Sequence, residues 1–178
     1  TRKESSAASD VYKRQAYDRG NGAVILLYSR EKKTVVLIRQ FRFPVWINGH
    51  HGFLIEAAAG LLDNASPEER IIAEAQEETG FRVTRIEPVF TAYMSPGSVT
   101  EKLYFFIAEY SPDDRQTGGG GLAEEGEDIE VLEWPLEQAV QAIRDGEIVD
   151  AKTIMLLQHL ALNSASLFAT ERAKSDRG

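Results

Sequence analysis

The chain has 178 residues, a formal net charge of −8 and no cysteine. Its 43% hydrophobic and 27% charged residues are ordinary for a globular protein, and its length predicts one domain with a real core. No apolar run approaches the roughly 18–20 residues that cross a bilayer, and Thr1–Gln15 shows no signal-peptide pattern, so we expect a cytoplasmic protein. The negative charge disfavours binding to nucleic acid or anionic lipid, and the lack of cysteine excludes disulfides and thiolate sites.

The predicted strands come mostly before the predicted helices. Ala23–Tyr28 and Thr34–Gln40 are rich in β-branched and aliphatic residues and flank the polar Ser29–Lys33 segment, so they predict a hairpin. Lys102–Tyr110 is mostly apolar and aromatic, which predicts a central strand. The other predicted strands are Phe53–Ala58, Val89–Ala92 and Ile129–Trp134.

Two helices are predicted near the end of the chain, at Pro135–Asp145 and Ala151–Ala165. In the second, the residues spaced to line one buried stripe are Ile154, Leu157, Leu160 and Ala161. The Gly118–Gly121 run has a composition typical of a flexible segment.

The segment 59–81 predicts a loop followed by a helix with strong end signals. Ser66 can cap the helix, Pro67 suits its first position, and Glu69 completes a capping box. Gly80 supplies a stop. These signals predict a helix that begins after Ser66 and ends before Gly80.

Three carboxylates crowd the end of this helix. Glu74, Glu77 and Glu78 fall within about a third of the helix circumference. Like charges at these spacings repel one another and weaken a helix. A bound divalent cation is the simplest way to neutralise this repulsion. The alternative is that the three carboxylates form an acidic helix face exposed to water.

This segment resembles the Nudix box, the signature of enzymes that hydrolyse a nucleoside diphosphate linked to another group. The match retains Glu74, Glu77, Glu78 and Gly80 at the end of the box. The resemblance implies an α/β fold, a Nudix-like α/β/α sandwich with a mixed curved sheet.

The chain departs from the box pattern at three positions. Ala59 stands where the pattern has glycine, Ala65 where it has the first glutamate, and Ala73 where it has arginine. Gly60 is the alternative box glycine, with a loop one residue shorter. In the family this glutamate and arginine brace the loop against the helix, so the resemblance implies that the brace is missing while the metal-binding carboxylates are kept.

Segments outside the box narrow the resemblance. Tyr17–Gly22, Leu37–Arg42 and Tyr93–Glu101 resemble the GDP-mannose pyrophosphatase branch, and the ADP-ribose pyrophosphatase branch has similar segments. The resemblance implies a homodimer that hydrolyses a nucleotide-sugar, most simply GDP-mannose, to a nucleoside monophosphate and a sugar phosphate. The preferred base and sugar stay open.

The resemblance also implies which residues form the site. Mg²⁺, or Mn²⁺ in its place, would be held by Ala59, Glu74, Glu78 and Glu127. The catalytic residues would be Glu127, Glu125 and Glu78, and the choice of base between Glu125 and Glu127 stays open. The implied substrate contacts are Arg42, Gly60, Leu61, Glu78, Glu101, Gly126, Lys152, Lys13 and Arg14.

The resemblance divides the chain into a poorly defined N-terminal segment, residues 1–16, that is short relative to the family, a Nudix domain over residues 17–167 and a polar tail over residues 168–178. The three alanines of the box leave a non-catalytic binding module as an alternative function. Retention of Glu74, Glu78 and the acidic Glu124–Asp128 segment speaks against that alternative. An isomerase related to the family relies on a cysteine, which this chain lacks.

Overall fold

The structure is a computed structural model that describes residues 16–122, 124 and 128–168. Its strands are β1 (Gly22–Ser29), β2 (Thr34–Phe41), β3 (Phe53–Glu56), β4 (Ala58–Leu61), β5 (Glu87–Tyr93), β6 (Lys102–Glu109) and β7 (Glu130–Pro135). Its helices are α1 (Phe43–Ile47), α2 (Pro67–Thr79), α3 (Leu136–Arg144), α4 (Ala151–Leu162) and α5 (Ser164–Leu167).

The strands of the described chain form one mixed sheet in the order β3-β2-β1-β6-β5, with β4 also paired to β1 and β7 to β2. The parallel pair joins β1 and β6, and the other pairs are antiparallel. The hairpin predicted across Ser29–Lys33 is confirmed by the β1–β2 pairing. The prediction for β6 is also confirmed, since this strand lies between β1 and β5.

Helices cover both faces of the sheet, as the predicted α/β/α sandwich requires. All eight residues of β1 are buried, and alternate side chains enter different clusters. Val24 and Leu26 share a cluster with residues of α3 and α4, whereas Ile25 packs with Ile71 and Ala75 of α2. Successive side chains of a strand point to opposite faces of the sheet. The sheet that contains β1 is therefore the central layer of the sandwich, with helices packed on each face.

Two local predictions need correction, and one helix was not predicted. The run Phe53–Ala58 is not one strand, because it is interrupted at Ala57, whose N–H donates to Thr153 Oγ1 at 2.7 Å. Helix α1 was not predicted, since its five residues are too few to show a helical period. In α4 the buried residues are Thr153, Leu156, Leu157 and Leu160, which confirms Leu157 and Leu160, whereas Ile154 and Ala161 are only partly buried.

Across the described residues, no helix is both long enough and apolar enough to span a membrane.

Candidate active site

Helix α2 has the ends that the sequence predicts. The N–H of Glu69 donates to Ser66 Oγ at 3.2 Å, and the N–H of Ser66 donates to Glu69 Oε2 at 3.2 Å. This reciprocal pair is the capping box, with Pro67 at the first helical position. At the other end Gly80 adopts the left-handed conformation with a φ of 80°. The carboxylates of the helix therefore sit on a well-anchored element.

The glycine run after the box is bound to the end of α2. The N–H of Gly120 donates to the carbonyl of Glu78 at 2.9 Å, and that of Gly121 to the carbonyl of Glu77 at 3.1 Å. These bonds satisfy carbonyls that a helix end leaves without partners. The flexibility of Gly118–Gly121 stays a prediction, and in this structure Gly120 and Gly121 are bonded to the helix end. The backbone of Gly120 and Gly121 is therefore tied to the end of the helix that carries Glu74 and Glu78.

A cleft of about 570 Å³ opens beside the first residues of β1 and the loop before α2. It is lined by carboxylates, cationic side chains and the backbone of β4. The predicted site residues that it brings together are Arg42, Ala59, Gly60, Leu61, Glu74, Glu101 and Lys152.

Two glutamates of α2 are buried, and one of them lines the cleft. Glu74 is 5% exposed and lines the cleft, whereas Glu78 is 2% exposed and is not among the lining residues. Instead Glu78 Oε2 accepts a hydrogen bond from the N–H of Ala59 at 3.0 Å. Glu77 is only partly buried. The structure thus separates the partly buried Glu77 from the two buried glutamates.

Gly60 lies against the side chain of Glu74, so a side chain at residue 60 would have to displace it. A Cβ atom built on Gly60 would collide with the carboxylate of Glu74. Ala59 carries its methyl group without such a constraint and packs against the core. The shorter loop, with Gly60 as the box glycine, is therefore the alignment that the structure supports.

The residues at this wall fit a divalent metal. Their donors are the carboxylates of Glu74 and Glu78 and the backbone of Ala59, and hard cations prefer such oxygen ligands. The close approach at Gly60 leaves the Glu74 carboxylate against the backbone of β4. Within the described residues no group of three acidic, histidine or cysteine side chains is assembled for a metal. The third predicted carboxylate, Glu127, lies outside the described residues.

On another wall two cationic residues share one buried carboxylate. Glu56, which is 2% exposed, accepts hydrogen bonds from Arg42 Nη2 at 2.6 Å and from Arg42 Nε at 3.0 Å. Lys152 Nζ donates to the same carboxylate at 3.2 Å. All three residues line the cleft. The pairing holds two positive groups, one at the N-cap of α1 and one in α4, at one place.

The ion pairs between Glu56 and the two cations shift the pKa values of Glu56 and Arg42. Burial acts to raise the pKa of Glu56, but hydrogen bonds from Arg42 and the charge of Lys152 outweigh it and hold the pKa below its ordinary value. Burial acts to lower the pKa of Arg42, but the Glu56 carboxylate raises it above its ordinary value. Glu56 is therefore ionised at neutral pH, and its one carboxylate is shared by two cations.

The start of α4 places Lys152. Asp150 caps the helix, since its Oδ2 accepts hydrogen bonds from the N–H of Thr153 at 3.0 Å and from Thr153 Oγ1 at 2.6 Å. The other oxygen of Asp150 lies 2.9 Å from Lys152 Nζ. The cap therefore also orients the lysine toward Glu56.

Glu101 lines the cleft and forms an ion pair with Arg19, at 3.4 Å between Nε and Oε1. Sequence reasoning assigned Glu101 but missed Arg19, Glu56, Arg70 and Asp150, which also line the cleft. One signal pointed to Glu56, a single charge within the apolar run Phe53–Ala58, because buried charges are normally paired.

Five residues with predicted roles lie outside the described residues, and their roles stay predictions. They are Lys13, Arg14, Glu125, Gly126 and Glu127.

A family model, the NUDIX domain, matches residues 18–157, a range that contains the whole box and every cleft residue named above. The chain belongs to the Nudix family. Its fold is the mixed sheet with helices on both faces that this family implies, and its chemistry is that of a Nudix hydrolase. Nudix hydrolases generally depend on a divalent metal, which agrees with the oxygen donors at the cleft.

Several relatives are similar to most of the chain. A protein named GDP-mannose pyrophosphatase from Klebsiella pneumoniae is 54% identical over 166 residues, which cover 93% of this chain and 82% of the relative. A protein of the same name from Citrobacter koseri is 59% identical over 154 residues, or 86% and 80% of the two chains. Another, from Escherichia coli O157:H7, is 58% identical over 153 residues, or 85% and 79%.

Proposed function

We propose that this protein hydrolyses GDP-mannose to GMP and mannose 1-phosphate with Mg²⁺ or Mn²⁺ as its metal. The observation that carries the proposal is one cleft with Glu74 on one wall and the Arg42–Lys152 pair on another. Relatives that are 54–59% identical over most of the chain are named for this substrate. The negative charge of a diphosphate would be neutralised from two sides. A metal ion held by the glutamate wall would act on one side, and the two cationic side chains would act on the other.

Each group of residues would have its own task in the reaction. When bound to Glu74, Glu78 and the carbonyl of Ala59, a divalent ion supplies charge neutralisation and a water of lowered pKa. Glu127 or Glu125 would take a proton from the attacking water. Water oxygen bonds to one phosphorus while the bond from that phosphorus to the bridging oxygen breaks, so that GMP and mannose 1-phosphate leave.

Arg42 and Lys152 would bind the phosphate oxygens of the substrate. Arg42 keeps donors beyond those used on Glu56, since a guanidinium has five N–H groups and three hydrogen bonds to Glu56 come from Nε and Nη2 alone. Lys152 contributes a compact charge to the same wall. Gly60 and Leu61 would contribute backbone contacts, and Glu101 a further polar contact with the substrate.

The test is a panel of nucleotide-sugars with Mg²⁺, in which the released monophosphate is identified and kcat/KM is compared. We expect GDP-mannose to exceed ADP-ribose and the ADP-sugars by at least about tenfold, since polar recognition of a base discriminates strongly. Preference for ADP-ribose would overturn the assigned base and sugar. No hydrolysis of any member would favour the non-catalytic module.

We also propose, from the resemblance, a homodimer in the cytoplasm with its domain over residues 17–167. Light scattering coupled to gel filtration measures the molar mass in solution. A mass near that of one 19.8 kDa chain would contradict the homodimer.

A further inference from the structure

Arg70 lies beside the predicted metal ligand Glu74 and lines the same cleft. It precedes Glu74 by one turn of α2, and its Nη2 lies 2.5 Å from Glu74 Oε1. The arginine side chain is 28% exposed, whereas the glutamate is nearly buried. A positive group therefore occupies the neighbourhood of a carboxylate to which we assign a cation.

Helix stability does not account for this pair. Arginine before glutamate at a spacing of four is the less favourable order for such pairs in helices. Arg70 also follows Ser66 by four residues, so it stands near the N-terminal end of α2, where the helix dipole disfavours a cation. An acidic or neutral residue would suit this position of the helix better.

The guanidinium of Arg70 also has a donor to spare. Its Nε is buried and makes no hydrogen bond to any of the described residues. A buried donor without a partner destabilises the folded state. The same side chain therefore offers a donor to an oxygen-rich ligand in the cleft.

We propose that Arg70 is a counter-ion that changes partners: it neutralises Glu74 in the metal-free protein and binds a diphosphate oxygen once a divalent cation occupies that carboxylate. The proposal deepens the metal-dependent diphosphate hydrolysis proposed above and rests on it. A guanidinium and a divalent ion compete for Glu74 Oε1, because both are positive and require the same lone pairs. Displaced from Glu74, Arg70 stays in a cleft that Arg42 and Lys152 also line.

The first test is calorimetric titration of Mn²⁺ into the metal-free protein without substrate. We expect Arg70→Gln to bind Mn²⁺ about fivefold more tightly than wild type, the value of a well-formed and partly exposed ion pair. Arg70→Lys, which keeps the charge, should stay within about twofold of wild type. The control is Arg85→Gln, which changes the net charge equally at an exposed residue outside the cleft and should leave the affinity unchanged.

The second test titrates inorganic pyrophosphate at saturating Mg²⁺. Here Arg70→Gln should bind about tenfold more weakly, as expected when one charge-assisted hydrogen bond is lost. The two affinities thus move in opposite directions. A residue that only supports the fold would weaken both or change neither.

If Arg70→Gln binds Mn²⁺ as tightly as wild type or more weakly, the counter-ion role of Arg70 is overturned. A wild-type protein that binds no Mn²⁺ would overturn it as well. Unchanged pyrophosphate affinity overturns the diphosphate contact. If Arg70→Gln does not fold, Arg70→Met gives the same test with the aliphatic stem of the arginine retained. Because neither titration needs turnover, absence of nucleotide-sugar hydrolysis would overturn the proposed function without deciding the role of Arg70.

Discussion

Gly60 and Glu74 approach so closely that a methyl group on residue 60 would overlap the glutamate carboxylate. The contact joins β4 to α2, the two elements that carry the Nudix box. Nudix hydrolases share this loop and helix, and here any side chain at residue 60 would have to displace the carboxylate. The box glycine therefore has a steric role that can be tested separately from the charges.

Gly60→Ala should displace the carboxylate of Glu74 and reduce Mn²⁺ affinity by at least about tenfold, as expected when the support of a metal ligand is disturbed. Calorimetric titration measures this affinity, and far-ultraviolet circular dichroism checks that the variant folds. Gly97→Ala is the matched control, since a Cβ there meets nothing within 4 Å. Equal affinities for the two variants would contradict the steric role of Gly60.

Glu78→Gln should lower kcat/KM by at least about 100-fold, because it removes charge from a predicted metal ligand with almost no change in volume. The glutamine oxygen can still accept the hydrogen bond from the N–H of Ala59, so we expect the fold to persist. Glu77→Gln, at the neighbouring and partly exposed carboxylate, should retain most of the activity. Near-normal turnover by Glu78→Gln would refute its assignment to the metal.

Glu56→Gln should raise the KM for the nucleotide-sugar by about tenfold, because Arg42 and Lys152 lose the charge that aligns them. We expect kcat to fall less than KM rises, since Glu56 contacts the cations and not the reacting atoms. Glu130→Gln is the control: Glu130 pairs with Arg39 on the surface, where such bridges contribute little. A change in kcat alone would count against positioning by Glu56.

Stability should depend on the ionisation of Glu56. Its pKa is lowered in the folded protein relative to the ordinary value of 4.5. A depressed carboxyl pKa stabilises the fold above the unfolded pKa, and this contribution is lost as the pH falls through the folded value. Denaturant unfolding of wild type and Glu56→Gln should therefore give a gap in the free energy of unfolding that narrows below about pH 4.5. A difference in the free energy of unfolding that grows as the pH falls would contradict a lowered pKa for Glu56.

Local signals in the sequence were sufficient to predict helix α2 with both ends. Ser66, Glu69 and Gly80 act through bonds to residues a few positions away, so their effect can be inferred from the sequence alone. The strands with alternating or strongly apolar residues were also predicted from local sequence alone, because their pattern is visible within a few positions. Helix α1 was missed because Phe43–Ile47 is shorter than two helical turns.

Contacts between distant segments could not be inferred in this way. Glu56 and Lys152 are separated by 96 positions, and only the packing of α4 against the sheet brings them together. The end of α2 likewise binds Gly120 through backbone groups, which composition does not reveal. Composition predicts only a flexible segment and does not reveal the close contact of the Gly119 backbone with the end of α2.

The most direct test of the account is ³¹P NMR of GDP-mannose incubated with metal-stripped protein, first with a chelator and then with excess Mg²⁺. The account predicts an intact substrate in the chelator, and resonances of GMP and mannose 1-phosphate in equal amounts after Mg²⁺ is added. Formation of GDP, or turnover that persists in the chelator, would contradict metal-dependent cleavage of the diphosphate.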